Sequence, residues 1–233
     1  MRPTLIAVWM LLAACPVCAE SFEFGAEWRL MRAGTASLSW TANEAQLQLS
    51  TTGLVRSLYK VDDQYWVTYN DKYCAASSRM KAEEGSKRRE TTVAYHRTPG
   101  KAELVERNLD NNEVVSTKEV DIPACVHDVV AGLGQMRRLR LTPGQTVHLP
   151  VSDGKKSVSA RVEAQQREKV KTIVGEFNTI RHEVFLYNGV LYRRKARLFV
   201  WLSDDDRRVP VQIQVRLPFY LGTVTLELEK ENP

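Results

Sequence analysis

The chain has 233 residues, is 43% hydrophobic and 26% charged, and carries a formal net charge of +5. That composition excludes a disordered or low-complexity chain and suits one large β domain or two small ones. The basic excess is mild and no nucleic-acid-binding motif accompanies it, so no nucleic-acid partner is expected.

The first 19 residues read as a signal peptide. Met1-Arg2-Pro3-Thr4 is a positive start, residues 5–14 are apolar but too few to span a bilayer, and Val17-Cys18-Ala19 offers small residues for cleavage before Glu20. A competing cut exists. Leu12-Ala13-Ala14-Cys15 resembles the lipobox of bacterial lipoproteins, which makes Cys15 a candidate lipidation site. The first cut predicts a periplasmic or secreted protein; the second predicts an outer-membrane lipoprotein. No later stretch reaches 18 apolar residues, so no transmembrane span is expected.

From residue 22 the pattern becomes period two. Phe22, Phe24, Ala26, Trp28 and Leu30 alternate with mostly polar neighbours, as in a half-buried strand. Ala33-Gly34 reads as its turn and 35–40 as the return strand. Ala45, Leu47 and Leu49 mark another strand, 53–59 holds a short helical turn, and 65–69 is aromatic and β-branched. The middle third is more polar. Strands over 77–82, 91–96, 102–109 and 114–120 are separated by Thr98-Pro99-Gly100 and Asp110-Asn111-Asn112, which is turn chemistry. One helix stands out over 125–137, after Pro123, with Val126, Val129, Val130, Leu133 and Met136 at helical spacing. Gly132 and Gly134 each weaken it by roughly 1 kcal/mol relative to Ala. Strands resume over 146–151, 158–164, 170–174, 177–187 and 190–200, with turns at Gly154, Gly175 and Asn188-Gly189. Residues 198–202 are apolar at every position; a charged turn over 203–208 leads into two further alternating strands. The prediction is a mainly β fold: a single domain over 20–233, built as one antiparallel barrel or strongly curved sheet with one short helix that plugs or covers it.

Cys74 and Cys125 are the only cysteines beyond the leader, and an exported chain with two cysteines is expected to pair them. Trp28, Trp40, Trp66 and Trp201, with Tyr65 and Phe199, are candidates to line a ligand cavity, against the plainer reading that they fill a core. Arg193, Lys195 and Arg197 would share one face of a strand and meet an anionic surface, against the reading of a solvated face that deters edge pairing. Asp204-Asp205-Asp206 offers oxygens for calcium, but Arg207 and Arg208 follow at once. The histidines at 96, 127, 148 and 182 lack ligand spacing. No metal and no cofactor is expected. Cys125, His127 and Asp128 supply the residue types of a nucleophilic site, but sequence neighbours rarely converge as a triad, so no catalytic residue is assigned and no enzyme is expected.

The run Trp201-Leu202-Ser203-Asp204-Asp205, followed by Arg208 and Pro210, resembles the signature of exported bacterial proteins of domain-of-unknown-function family 3108. Ala33-Gly34, Pro143-Gly144, Gly175-Glu176-Phe177 and Gly222 fall in the matching order, so the resemblance covers about 22–228. The departure is over 125–137, where only Leu133 and Arg137 are comparable. The resemblance implies a β-rich exported domain and supplies no catalytic residues. By analogy of fold, the expected role is a cell-envelope binding module for an apolar or amphipathic ligand such as a lipid. The alternative is a structural or assembly partner within the envelope.

Overall fold

The computed structural model describes residues 19–232. The candidate lipidation site Cys15 and the expected signal peptide up to Cys18 lie outside the described residues. Strands β1 (Glu20–Trp28), β2 (Met31–Trp40) and β3 (Glu44–Thr51) lead through helix α1 (Gly53–Leu58) to β4 (Val61–Tyr69). Then follow β5 (Ala75–Glu84), β6 (Lys87–His96), β7 (Lys101–Asn108), β8 (Val114–Asp121), helix α2 (Val129–Arg138) and β9 (Thr146–Ser152). The chain ends with β10 (Ser157–Thr172), β11 (Gly175–Phe185), β12 (Arg197–Ser203), β13 (Pro210–Arg216) and β14 (Thr223–Asn232).

All fourteen strands form one antiparallel sheet in the order β8-β7-β6-β5-β4-β3-β2-β1-β14-β13-β12-β11-β10-β9. Each strand pairs with its sequence neighbour except across α2. The two chain ends meet in the middle, where Phe24 stands opposite Leu228. This is a strongly curved sheet and not a closed barrel: β8 and β9 remain as edges.

The segment before α2 bridges part of that gap. Ala75 N donates to Val126 O at 2.8 Å, His127 N donates to Pro150 O at 2.8 Å, and Ser152 N donates to His127 O at 2.9 Å. One short strap therefore ties the start of β5 to edge strand β9. The expected helix is shortened for the same reason. Residues 125–128 are spent on the strap, Asp128 serves as the N-cap, and α2 begins at Val129. The Cys74–Cys125 disulfide forms beside it, with Cα atoms 4.9 Å apart.

Two further expectations are corrected. Ala33-Gly34 is not a turn: both residues lie in β2, and the turn is Arg29-Leu30, with φ of 51° and 65°. A Cβ on Gly34 would collide with Ser50 O of β3, so the glycine permits close strand approach. Residues 190–196 are not strand either. They belong to a loop locked by Asn188, whose Nδ2 donates to Ala196 O at 2.9 Å while its Oδ1 accepts from Ala196 N at 3.3 Å. The Asn-Gly pair does adopt positive φ, but inside this wider loop.

The inward faces form three apolar clusters. One joins β1–β4 to Val130 and Ala131 of α2; a second joins β9–β12 to Met136; a third lies under β5–β7 around Val93, Leu104 and Val126. Helix α2 thus sits inside the curve of the sheet, between two of them. No helix among the described residues is long and apolar enough to cross a membrane.

Candidate functional site

Between α2 and the concave face of the sheet lies an apolar cavity of about 230 Å³. Leu38, Leu47 and Leu49 of β2 and β3 form one wall. Val129, Leu133 and Met136 of α2 form another, and side chains such as Val162, Val200 and Ile213 from β9–β13 close the far side. Every lining residue is aliphatic, glycine or methionine. Gly132 contributes by absence: a Cβ there would have nothing nearer than His127 Cβ at 3.7 Å.

One group of polar side chains lies at the N-terminus of α2. Asp128 is buried; one carboxylate oxygen accepts from Val130 N at 2.8 Å and the other accepts from the Tyr65 hydroxyl. Burial pushes the carboxyl up to about 6, because the charged form is costly away from water. His127 Nδ1 donates to Tyr73 O at 2.7 Å, and burial lowers its pKa. The sulfur of Cys125 is consumed by the disulfide. Three neighbours in sequence therefore turn to three different structural tasks: a cross-link, a tether and a helix cap.

The four tryptophans are not brought together, and none lines the cavity. Trp40 is buried beside Phe22, edge to face at 5.8 Å, with the Arg137 guanidinium 4.8 Å above its ring. Trp28 closes one end of β1, its Nε1 donating to Leu221 O at 2.8 Å. Trp66 lies on the convex face under Arg79. Trp201 also points away from the cavity, paired with Phe199 at 6.1 Å and donating to Glu168 at 2.6 Å. Arg197 and Arg216 stand over Phe199 at 4.8 and 4.6 Å. This arginine cover explains why residues 198–202 are apolar at both phases: alternate residues are buried on opposite faces.

The basic trio is also separated. Arg197 begins β12 and pairs with the buried Glu183 at 2.7 Å, whereas Arg193 and Lys195 are exposed in the loop before it. The three consecutive aspartates diverge. Asp204 pairs with Arg167, Asp206 pairs with Arg140, and Asp205 accepts from Ser203 Oγ and from the backbone N–H groups of Arg207 and Arg208.

At the C-terminal end of α2 lies a denser polar group. Arg137 makes a bidentate pair with Glu20 and donates to the carbonyls of Arg207 and Arg208. Arg208 is buried, with Nε and Nη2 unpartnered, and His182 is buried with both ring nitrogens unpartnered. Burial and the Arg208 charge lower His182 to about 4.

The cavity wall was not singled out by sequence. Its residues carry the period-two signal of any buried strand face, and that signal is the same for a filled core and for a hollow one.

Solved structures give the fold a context. A β-barrel-like protein of domain of unknown function DUF1849 from Brucella abortus aligns at TM-score 0.57 and 9% identity, over 93% of this chain and 98% of that one. A DUF1089 family protein from Pseudomonas aeruginosa aligns at TM-score 0.39 and 14% identity, over 89% and 95%. No curated protein matches the sequence. The model of the DUF3108 family, proteins of unknown function, matches residues 23–229, and the chain belongs to that family.

Proposed function

We propose that this protein is a non-catalytic binding module of the cell envelope, holding the hydrocarbon part of an apolar or amphipathic ligand between α2 and the curved sheet. The cavity carries this reading. Left empty, about 230 Å³ of apolar space would cost on the order of 5 kcal/mol, a large part of the stability of an ordinary domain. A lining without one polar side chain gives no hold on water, and such cavities stay dry. It offers no general acid or base to a bound molecule and no means of orienting a polar headgroup. The occupant is therefore a chain segment, such as part of one acyl tail, with any polar head outside. The disulfide supports an oxidising compartment.

The test is titration with a fluorescent fatty acid against the oxidised protein. Saturable binding at one site is expected, weakened at least tenfold by Leu133→Trp, which fills the cavity from α2. Equal binding by both proteins, with circular dichroism unchanged, would sink the proposal.

The assembly-partner reading gains from the open edge of β8, but Lys118, Glu119 and Asp121 place charges along that strand, a pattern that discourages strand addition.

A further inference from the structure

Because the sheet is a meander, alternate connections emerge at the same end. The β13–β14 loop, the β1–β2 turn and α1 are successive connections at one end, and the β11–β12 loop emerges there too. That end carries large apolar side chains in water. Phe219 and Leu30 are 101% and 96% exposed, and Tyr220, Leu58 and Leu54 are 71%, 73% and 67% exposed. They project from three separate tips, two of which, the β1–β2 turn and the β13–β14 loop, are joined: Arg29 N donates to Thr223 O, and the Arg29 guanidinium donates to Tyr220 O.

Leu30 is held in an unfavourable conformation. Both central residues of its turn have positive φ, where Asn-Gly is the ordinary choice and a leucine side chain crowds its own backbone. A fully exposed leucine at such a position has no folding rationale, and strain of this kind marks functional segments.

The same end carries the densest basic run in the sequence. Arg193, Arg194 and Lys195 are exposed in the β11–β12 loop, and only Arg197 of that run is ion-paired among the described residues. Arg56 and Lys60, also at this end, are held by Asp62 and Glu83. Three adjacent exposed cations that make no ion pair among the described residues, Arg193, Arg194 and Lys195, thus emerge at the same end as the apolar tips.

We infer that this end of the molecule docks on the surface of a bilayer containing anionic lipid. Protruding apolar tips enter the headgroup–acyl boundary, and the basic loop meets the phosphates. A protein interface would more naturally present a continuous, packed patch with polar groups at its rim. The cavity approaches the same end: Leu49, Leu186 and Leu198 of its wall lie at or next to the strand ends that lead there. The inference does not depend on the cavity being filled.

The experiment is co-sedimentation of the oxidised protein with phosphatidylcholine vesicles, with and without phosphatidylglycerol. Wild type is expected to partition onto the anionic vesicles and to leave them as salt rises. The Leu30→Ser, Phe219→Ser, Tyr220→Ser protein is expected to lose at least tenfold in partitioning. Arg193→Ala, Arg194→Ala, Lys195→Ala is expected to lose on the order of a hundredfold, from about fivefold per basic residue at the surface. Brominated lipid should quench Trp28, which sits behind the tips, and a Trp28→Phe protein should lose that quenching. Partitioning unaffected by the tip substitutions, or wild type remaining in solution with both vesicles, would overturn the inference. A wild type that ignores vesicles but loses capture of an envelope protein on tip substitution would make the surface a protein interface instead.

Discussion

The two ends of this sheet are built from similar residues put to opposite use. At the end where α2 finishes, Arg137 is fixed by Glu20, two carbonyls and the rings of Phe22 and Trp40, while Tyr73 lies over Gly134. Cys74 and Cys125 lock the adjoining connection. At the opposite end, Leu30, Phe219 and Tyr220 stand in solvent beside Arg193, Arg194 and Lys195. The first end commits Arg137, Tyr73 and the disulfide to holding the fold; the second leaves Leu30, Phe219, Arg193, Arg194 and Lys195 exposed, the three cations without an ion pair among the described residues. Such an asymmetry is what a module needs if one end must stay rigid and the other must meet something outside the molecule.

The largest effect should come from the locked end. Replacing Cys74 and Cys125 by Ala removes a cross-link spanning 51 residues and should cost about 4 kcal/mol, read from urea unfolding. A loss under about 1 kcal/mol would mean that the hydrogen-bonded strap closes this end unaided.

Next comes a paired substitution across the two ends. Arg137→Met strands Glu20 and two carbonyls, so about 2–4 kcal/mol should be lost. Arg194→Met, at the open end, should stay within about 0.5 kcal/mol. Equal losses would break the comparison.

A smaller effect, of opposite sign, is expected at the tips. Changing Arg29-Leu30 to Asn-Gly suits the positive φ of both positions and should stabilise by about 1 kcal/mol while weakening vesicle binding. Stability gained at the expense of binding is the sign of a turn kept for a purpose other than folding.

The subtlest test is pH. His182 titrates near 4 in the fold against an ordinary 6.5, so the unfolded chain binds more protons between those values and this group destabilises the fold as pH falls. Asp128 and Asp63 are raised to about 6 from 3.8, so the fold binds more protons there and these groups stabilise it as pH falls. The two influences oppose each other between pH 6 and 4. Asp128→Asn keeps a competent helix cap but removes one of the opposing groups. Its stability should therefore fall more steeply than that of wild type on acidification, by up to about 2 kcal/mol across the window. An unchanged slope would mean that Asp128 is not proton-linked.

Much of the fold was legible because period-two alternation survives wherever one face is wet. The strands around Ala45-Leu47-Leu49 and Val209–Leu217 follow that pattern, and Cys74 and Cys125 pair as expected of two cysteines in a chain read as exported. Four things were not legible. The strap over residues 125–128 looked helical because Val126 falls in phase with the α2 stripe, while its backbone bonds are to β5 and β9, far away in sequence. Gly132 and Gly134 read alike, yet one lines the cavity and the other lies under the Tyr73 ring. The basic run read as one strand face because Tyr192, Arg194 and Ala196 alternate with it; the Asn188 lock, a side-chain effect, takes most of that run out of the sheet. The tryptophans drew attention as large side chains, but the cavity is walled by residues whose pattern is that of any core.

The central claim is that the space between α2 and the sheet holds hydrocarbon. Its most direct measurement is native mass spectrometry of the oxidised protein, expressed from the full 233-residue sequence in a bacterial host and compared with Leu133→Trp. The account predicts an added mass on wild type that is released on denaturation and is lost or much reduced in the variant. A wild type that is bare, and that stays bare after incubation with phospholipid and free fatty acid, would contradict it.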